Sequence, residues 1–314
     1  MTMQANVRET YGGPEVLRWT SAPKPGTKPG QVLIRVAAAS VNAADLHLLR
    51  GEPLPARLAF GLFKPKFLIT GADVAGTVEA VGEGVTRFKP GDRVFGDLSG
   101  SGFGAYAELA VAPEKALALV PDGVSLAEAA SAPMAACTAL QAFRKFGEPG
   151  PGSRVLVTGA SGGVGSFAVQ IARELGAHVT AVTSTPNVEQ VRNLGAAEVI
   201  DRHSEDFRSR RGEFDLVIDT AGRGKLKDAL KVLRDGGKYV LVGGDGPTTT
   251  AAMMSGRNIL ARPNLQDLEK VAGMLARAKL RPLLGRTFPL HEAAEAMRAF
   301  EAGGVAGKIV LTAN

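Results

Sequence analysis

The chain has 314 residues, of which 45% are hydrophobic and 22% charged, a composition typical of a globular protein of about two domains. Its single cysteine excludes an internal disulfide and a four-cysteine zinc lobe. The net charge of +6 would permit nucleic-acid binding, but the basic residues are scattered and aromatic residues are only 5%, so that class of protein is not favoured.

The first part of the chain, 1–120, is predicted to be rich in strands that are broken by glycine and proline. The predicted strands are 31–41, 73–82, 92–96 and 105–112. No regular helical repeat competes with this interpretation.

The pattern then changes to alternating helices and strands, beginning where Ser125 can cap a helix with Glu128 three residues later. The predicted helices are 125–146, 164–176, 187–194, 224–234 and 266–278. The predicted strands are 154–158, 178–183, 197–200, 214–219 and 238–243. This alternation indicates an α/β fold with a doubly wound parallel sheet. The last residues read as a helix and a strand, and periodicity leaves open whether they close this sheet or return to the first domain.

A glycine-rich turn follows the predicted strand 154–158 and opens onto an amphipathic helix. Its Ala160-x-Gly162-x-x-Gly165 pattern fits the dinucleotide fingerprint, except that alanine replaces the first glycine. Free backbone N–H groups at a helix N-terminus attract phosphate, and glycines let it approach. The pattern therefore predicts a dinucleotide site, with an ordinary glycine-rich turn as the alternative. The expected contacts in the turn are Ala160, Ser161, Gly162, Gly163 and Val164.

The choice of coenzyme is expected to depend on the end of strand 178–183. An NAD-binding strand normally ends in a carboxylate there, but this chain has Thr183, Ser184 and Thr185. These hydroxyls can hydrogen-bond a 2′-phosphate that a carboxylate would repel, so NADPH is favoured. Arg192 and Arg202 are the candidate cationic partners of the phosphate, and both could equally be surface residues.

Five separated segments resemble the medium-chain dehydrogenase/reductase superfamily, specifically its zinc-independent quinone oxidoreductase (zeta-crystallin-like) branch. They are 40–51, 71–96, 152–173, 194–201 and 306–311. The resemblance implies a GroES-like substrate domain formed by 1–120 and 281–314. It also implies a Rossmann NADPH-binding domain formed by 121–280.

Zinc-dependent relatives carry a His-Glu pair where this chain has Ala72 and Asp73. None of the four histidines is spaced with Cys137 as a zinc site would require, so no catalytic metal is expected. Cys137 lies among small apolar residues and is predicted to be a buried, inert thiol.

The resemblance places Asn42 and Asp45 in the family's N-x-x-D motif near the nicotinamide, although both could simply cap a helix starting near Ala43. His47 stands where several relatives have a tyrosine close to the acceptor. It could donate a hydrogen bond or proton to the developing oxyanion, or face solvent on its helix. Branch members often take the proton from water instead.

Further cofactor contacts are expected from the resemblance. Thr138 matches a threonine beside the nicotinamide, or packs within a helix. Asn264 matches a segment bordering the nicotinamide half, or caps helix 266–278. Val242 and Gly243 complete the expected set. Relatives commonly dimerise along an edge strand, here near 239–244, although the following region is shorter than in many of them.

The predicted function is NADPH-dependent, metal-independent hydride transfer to quinones or α,β-unsaturated carbonyl compounds. The alternatives are a non-catalytic NADPH-binding protein, crystallin-like or regulatory, and a specialised enone or enoyl-thioester reductase. No apolar run reaches the ~18 residues of a membrane span, and the start lacks a signal-peptide core, so a cytoplasmic protein without a membrane partner is expected.

Overall fold

The computed structural model describes residues 1–243 and 247–313. The chain divides into two compact units. The first unit comprises Met1–Met134, Pro263–Ala276 and Leu284–Asn314, and the second comprises Ala135–Arg262 and Arg277–Leu283. These units divide the chain at other residues than 120 and 280, and the domain boundaries stay a prediction.

Strands dominate the N-terminal part of the chain. They are β1 (Thr2–Val7), β2 (Arg18–Pro23), β3 (Gln31–Ser40), β4 (Asp73–Val81), β5 (Arg93–Asp97), β6 (Leu109–Pro113) and β7 (Leu117–Leu119). The helices of this part are α1 (Ala43–Arg50), α2 (Arg57–Phe60) and α3 (Leu126–Ser131).

Helices and strands alternate from residue 133 onward. In chain order they are α4 (Pro133–Phe146), β8 (Arg154–Thr158), α5 (Gly163–Glu174), β9 (His178–Thr183), α6 (Val188–Asn193), β10 (Glu198–Asp201), β11 (Phe214–Asp219), α7 (Leu226–Ala229), β12 (Leu233–Leu241) and α8 (Pro247–Met254). The chain ends with α9 (Leu265–Ala276), β13 (Leu284–Pro289), α10 (Ala293–Ala302) and β14 (Lys308–Thr312).

The second unit is built on a five-stranded parallel sheet in the order β10-β9-β8-β11-β12. Buried Val and Leu side chains of β8 make it a central strand covered on both faces. The strand order reverses between β8 and β11, and ligands bind at such a switch point beside the carboxyl ends of the strands.

The first unit contains a seven-stranded sheet in which β14 lies beside β3. The two strands are antiparallel, with Val310 opposite Ser40. The last strand of the chain therefore joins the sheet of the first unit, which periodicity alone could not decide. Ile34, Val74 and Ile309 pack together in the core of this unit.

Two predicted helices were wrong in extent. The predicted helix 125–146 is two helices, α3 and α4, because Pro133 has no N–H to continue the ladder and is instead suited to a first turn. The predicted helix 224–234 shrinks to α7 and one 3-10 turn, because Leu233 already pairs with Phe214 and begins β12. The strand predicted at 105–112 starts only at Leu109.

The strand expected to form a dimer edge, β12, is the last strand of its sheet. The chain following α8 covers its carboxyl end, since Leu241 N–H donates to the Arg257 carbonyl at 2.7 Å and Ile259 N–H donates to the Leu241 carbonyl at 3.0 Å. The rest of the predicted edge includes Gly244, which lies outside the described residues. The homodimer stays a prediction.

Within the described ranges, no helix combines the length and apolar character that crossing a bilayer requires.

Candidate active site

The glycine turn between β8 and α5 folds back on itself tightly. Gly159 has a left-handed backbone with φ 64°, and its carbonyl accepts the Gly162 N–H at 2.9 Å. Helix α5 begins directly after Gly162, and its first intrahelical bond is from Ser166 N–H to the Gly162 carbonyl at 2.9 Å. The N–H groups of Gly163, Val164 and Gly165 precede that bond, and the first N–H groups of a helix have no carbonyl partner within the helix.

The alanine in the fingerprint fits because another residue makes the left-handed turn. Gly159 takes the positive φ, whereas Ala160 is fully buried and its N–H donates to the Val182 carbonyl at 3.1 Å. A side chain at Gly165 could not be accommodated, because its Cβ would lie 2.1 Å from the Gly159 carbonyl oxygen. The structure thus brings Ala160, Ser161, Gly162, Gly163 and Val164 together in one turn.

Hydroxyl and amide groups cluster where β9 ends beside this turn. Thr183 Oγ1 donates to Ser161 Oγ at 2.9 Å, and Asn187 Nδ2 lies 3.2 Å from both Ser161 Oγ and Ser184 Oγ. We call Ser161, Thr183, Ser184 and Asn187 the hydroxyl cluster. Its members are neutral, so it can donate hydrogen bonds to an anion without repelling it.

Thr185, predicted to belong with these hydroxyls, faces another group. A hydrogen bond from the His203 backbone N–H, and then one from the Thr185 hydroxyl, lower the pKa of Asp201. Arg192 pairs with Glu189 at 2.6 Å on an exposed face, and Arg202 is also exposed. The structure therefore does not identify a cation that would face a 2′-phosphate, and the roles of Arg192 and Arg202 stay predictions.

Asp219, at the carboxyl end of β11, was not recognised from the sequence. Its Oδ1 accepts the Thr158 hydroxyl at 2.6 Å and the Gly222 N–H at 2.8 Å, while its Oδ2 accepts the Tyr239 hydroxyl at 2.6 Å. Burial and this carboxylate raise the pKa of Tyr239. Asp219 therefore ties the loop after β11 to the end of β8, at the switch point of the sheet.

The remaining predicted cofactor contacts are dispersed. Thr138 is buried on α4, and Val242 is buried directly after β12, where its N–H donates to the Asp219 carbonyl at 2.8 Å. Gly243 is exposed with φ 81°. Asn264 lies in the first unit, where its Oδ1 accepts the Asp267 N–H at 2.8 Å as the cap of α9. Asn264 thus performs the capping role that was its alternative.

In the first unit, α1 presents the predicted substrate-side residues. Asn42 is the N-cap of α1 with an extended backbone, and its N–H donates to Asp45 Oδ2 at 2.9 Å. The other Asp45 oxygen accepts the Ala72 N–H at 3.0 Å, and the side chain is fully buried. Asp45 therefore joins the start of α1 to the residue preceding β4. His47, on the same helix, is exposed.

A buried ionic cluster surrounds the Asn42 side chain. Asp73 Oδ2 accepts from Ser40 Oγ at 2.8 Å and from Asn42 Nδ2 at 2.9 Å, and its Oδ1 accepts the Met134 N–H at 2.9 Å. Lys308 Nζ lies 3.6 Å from Asp73 Oδ2, and both side chains are almost completely buried. Lys308 was missed because a lysine opening a terminal strand is usually exposed.

A zinc ion does not fit the residues at the position where zinc-dependent relatives carry their His-Glu pair. Ala72 has no ligating atom, and Asp73 is held by three donors and a buried cation. Across residues 1–243 and 247–313, no three His, Cys, Asp or Glu side chains are grouped to hold a metal. Cys137 is buried, as predicted.

Carboxyl groups near this cluster have raised proton affinity. Burial, and then the neighbouring Asp73, raise the pKa of Asp45 to about 7 and that of Asp97 to about 6. Burial lowers the pKa of Lys308, against the attraction of these carboxylates. Because the folded protein binds protons more tightly at Asp45 and Asp97 than the unfolded chain does, its stability should fall as pH rises from about 4 to about 7.

The Asp97→Asn variant should consequently be more stable than the wild type at pH 8, by about 1–2 kcal/mol, and equally stable near pH 4. The asparagine oxygen can still accept the Ser99 N–H that Asp97 Oδ1 accepts at 2.8 Å, while the charge beside Asp73 is removed. Urea unfolding at the two pH values measures this difference. A variant that lost stability at pH 8 would show instead that Asp97 is needed to balance Lys308.

Comparisons with known families cover most of the chain. Residues 28–122 match the alcohol dehydrogenase GroES-like domain, and residues 194–311 match the zinc-binding dehydrogenase family. Residues 147–225 match the C-terminal domain of alanine dehydrogenase/PNT.

Known proteins match this chain over almost its full length. The chain is 34% identical to the chloroplast envelope quinone oxidoreductase homolog of Arabidopsis thaliana, covering 98% of both chains. It belongs to the medium-chain dehydrogenase/reductase superfamily. Another superfamily relative, the chloroplastic NADPH-dependent alkenal/one oxidoreductase of the same plant, is 33% identical over 98% of this chain and 79% of its own length.

A solved structure of this superfamily agrees with the fold. The quinone oxidoreductase from Coxiella burnetii superposes with a TM-score of 0.88 at 31% identity, with 100% of both chains covered. The predicted superfamily membership and the combination of a GroES-like domain with a Rossmann-type domain are confirmed.

Proposed function

We propose that this protein is an NADPH-dependent oxidoreductase that transfers hydride to quinones or α,β-unsaturated carbonyl compounds without a metal. The observation that carries the proposal is the glycine turn, where three N–H groups at the start of α5 lie beside a neutral hydroxyl cluster. The names of the two Arabidopsis relatives and of the Coxiella structure support the same acceptor classes.

The residues of the turn fit a dinucleotide. The N–H groups of Gly163, Val164 and Gly165 would bind the diphosphate, since glycine at 162 and 163 leaves the backbone open to it. Ser184 and its hydroxyl-cluster neighbours would bond the 2′-phosphate of NADPH. When bound, this coenzyme supplies the hydride.

The acceptor side requires only hydrogen bonds. Quinones and enones are already electrophilic, so the charge that develops on their conjugated oxygen can be stabilised by donors in place of a metal ion. The Asn42 amide would be such a donor. Ala72 and the fully engaged Asp73 support the metal-independent part of the proposal.

Stopped-flow oxidation of NADPH with a panel of quinones and enals tests the function, repeated with NADH and with metal analysis of the same sample. We expect consumption of NADPH with at least one acceptor class, unchanged by a chelator. Tight NADPH binding without turnover on any acceptor would identify a non-catalytic nucleotide-binding protein. Turnover confined to thioesters would identify the specialised enoyl reductase.

His47→Gln should change kcat by less than about threefold, because water can reach the exposed position and supply the proton that a general acid would otherwise provide. The measurement is kcat against pH for the wild type and the variant with one quinone. A fall of about 100-fold or more would make His47 the proton donor.

We propose that the protein is cytoplasmic, and that it forms a homodimer, as the resemblance to its relatives implies. Sedimentation at several protein concentrations tests the oligomeric state.

A further inference from the structure

The side-chain amide of Asn42 is hydrogen-bonded at both its oxygen and its nitrogen to buried charged side chains. Lys308 Nζ donates to Asn42 Oδ1, and Asn42 Nδ2 donates to Asp73 Oδ2 at 2.9 Å. Lys308 also donates to the Val41 carbonyl at 3.1 Å and lies 3.6 Å from Asp73 Oδ2. The three side chains therefore form a closed ring of polar contacts.

This ring admits only one orientation of the amide. An ammonium group can only donate and an ionised carboxylate can only accept, so Lys308 must face the amide oxygen and Asp73 must face the amide nitrogen. A flipped amide would put two donors against each other and two acceptors against each other. In the described part of the chain, Asp73 is the one acceptor bonded to Nδ2, so its second N–H is left for a ligand or water.

We propose that Lys308 is a positioning residue for hydride transfer, which acts by fixing and polarising the Asn42 amide so that its remaining N–H donates to the acceptor oxygen. This inference rests on the proposed function. The cation withdraws electron density through the amide oxygen, which strengthens the amide N–H as a donor. Asp73 holds the nitrogen end in place.

The burial of Lys308 argues against a merely adventitious contact. Placing an ammonium group in the core is costly, and it is tolerated where carboxylates and hydrogen-bond acceptors compensate for the lost water. Asp73 and Asp45 supply the charge, and Val41 and Asn42 supply the acceptors. A stability role alone would not require the amide to stand between the two ions.

The test is a double-mutant cycle with Lys308→Met and Asn42→Ser, because serine keeps a good helix N-cap but removes the amide. With one quinone at saturation and the NADPH concentration varied, Lys308→Met should lower kcat about tenfold, while the KM for NADPH changes less than about twofold. In the Asn42→Ser background, Lys308→Met should lower kcat by less than about twofold further. Lys115→Met, at an exposed lysine of the same unit, is the control and should match the wild type.

Lys308→Met leaves a buried carboxylate without its cation and can fail to fold. The charge-balanced pair Asp73→Asn with Lys308→Met avoids this and should show the same loss of kcat and the same insensitivity to Asn42→Ser. The positioning role would be overturned if Lys308→Met lowered kcat by the same factor in the wild-type and in the Asn42→Ser background. It would also be overturned if Lys308→Met lowered the melting temperature and left kcat unchanged.

A readout independent of activity separates this inference from the proposed function. In protein labelled with ¹⁵N-asparagine, the side-chain NH₂ signal absent from Asn42→Ser belongs to Asn42. Its hydrogen exchange should become at least about tenfold faster in the charge-balanced pair if the ring holds the amide. An unchanged rate of hydrogen exchange at the Asn42 amide would contradict the inference. If the wild-type protein oxidised NADPH with no acceptor, the proposed function would be contradicted. The exchange measurement would still show whether the ring holds the Asn42 amide, because it needs no turnover.

Discussion

Gly165→Ala should lower the free energy of unfolding by about 3 kcal/mol and abolish measurable NADPH binding. A Cβ at this position would lie 2.1 Å from the Gly159 carbonyl oxygen, 2.8 Å from its carbonyl carbon and 2.9 Å from Ala160 Cα. All three are backbone atoms, so no side-chain rotation can relieve the clash. The turn must open, and the N–H groups at the start of α5 then lose their common direction.

The measurement pairs urea unfolding with fluorescence titration of NADPH. Two glycines of the same unit serve as controls. Gly150→Ala meets nothing within 4 Å and should behave as the wild type in both assays. At Gly162 the added Cβ would lie 3.2 Å from the Gly159 oxygen, so Gly162→Ala should keep the fold and weaken NADPH binding alone. If Gly165→Ala had the same free energy of unfolding as Gly150→Ala, the close approach of Gly165 to the Gly159 carbonyl would be contradicted.

Ser184→Asp should lower kcat/KM for NADPH about 100-fold and leave the value for NADH within about threefold. Ser184 belongs to the hydroxyl cluster at the end of β9, where Asn187 Nδ2 lies 3.2 Å from its hydroxyl. A carboxylate there repels the 2′-phosphate, whereas it can accept a hydrogen bond from the free 2′-hydroxyl of NADH.

Steady-state kinetics with both coenzymes and one quinone measure this change. Ser184→Asn is the matched control, since it has the size of aspartate without its charge and should reduce the NADPH value far less. Equal losses with both coenzymes would indicate damage to the fold. An unchanged preference for NADPH would show that the 2′-phosphate binds elsewhere.

The glycine turn between β8 and α5 could be predicted from sequence because its signals are local. A buried strand, closely spaced glycines and an apolar helix face lie within 154–176, and β8 and β9 have the predicted bounds. The misreading of 224–234 has the opposite cause. Its Leu and Lys residues are spaced as in a helix, but pairing of Leu233 with Phe214 in the sheet overrides that local preference.

The ionic cluster could not be predicted, because its members come from distant parts of the chain. Lys308 and Asn42 are 266 residues apart in sequence, and the residue pattern near Lys308 does not show that its strand lies beside β3. The resemblance pointed to Asn42, and the geometry identified the two ions that hold it. His47 shows the converse, since a suggestive residue type proved to be exposed on its helix.

The pairing of β14 with β3 also constrains how the protein is made. A ribosome releases the chain from its N-terminus, so β3 emerges long before β14, which follows the whole parallel sheet in sequence. The five strands of the parallel sheet have all emerged by then. The nascent chain can therefore form its parallel sheet first, and Lys308 can reach Asn42 only after β14 has emerged.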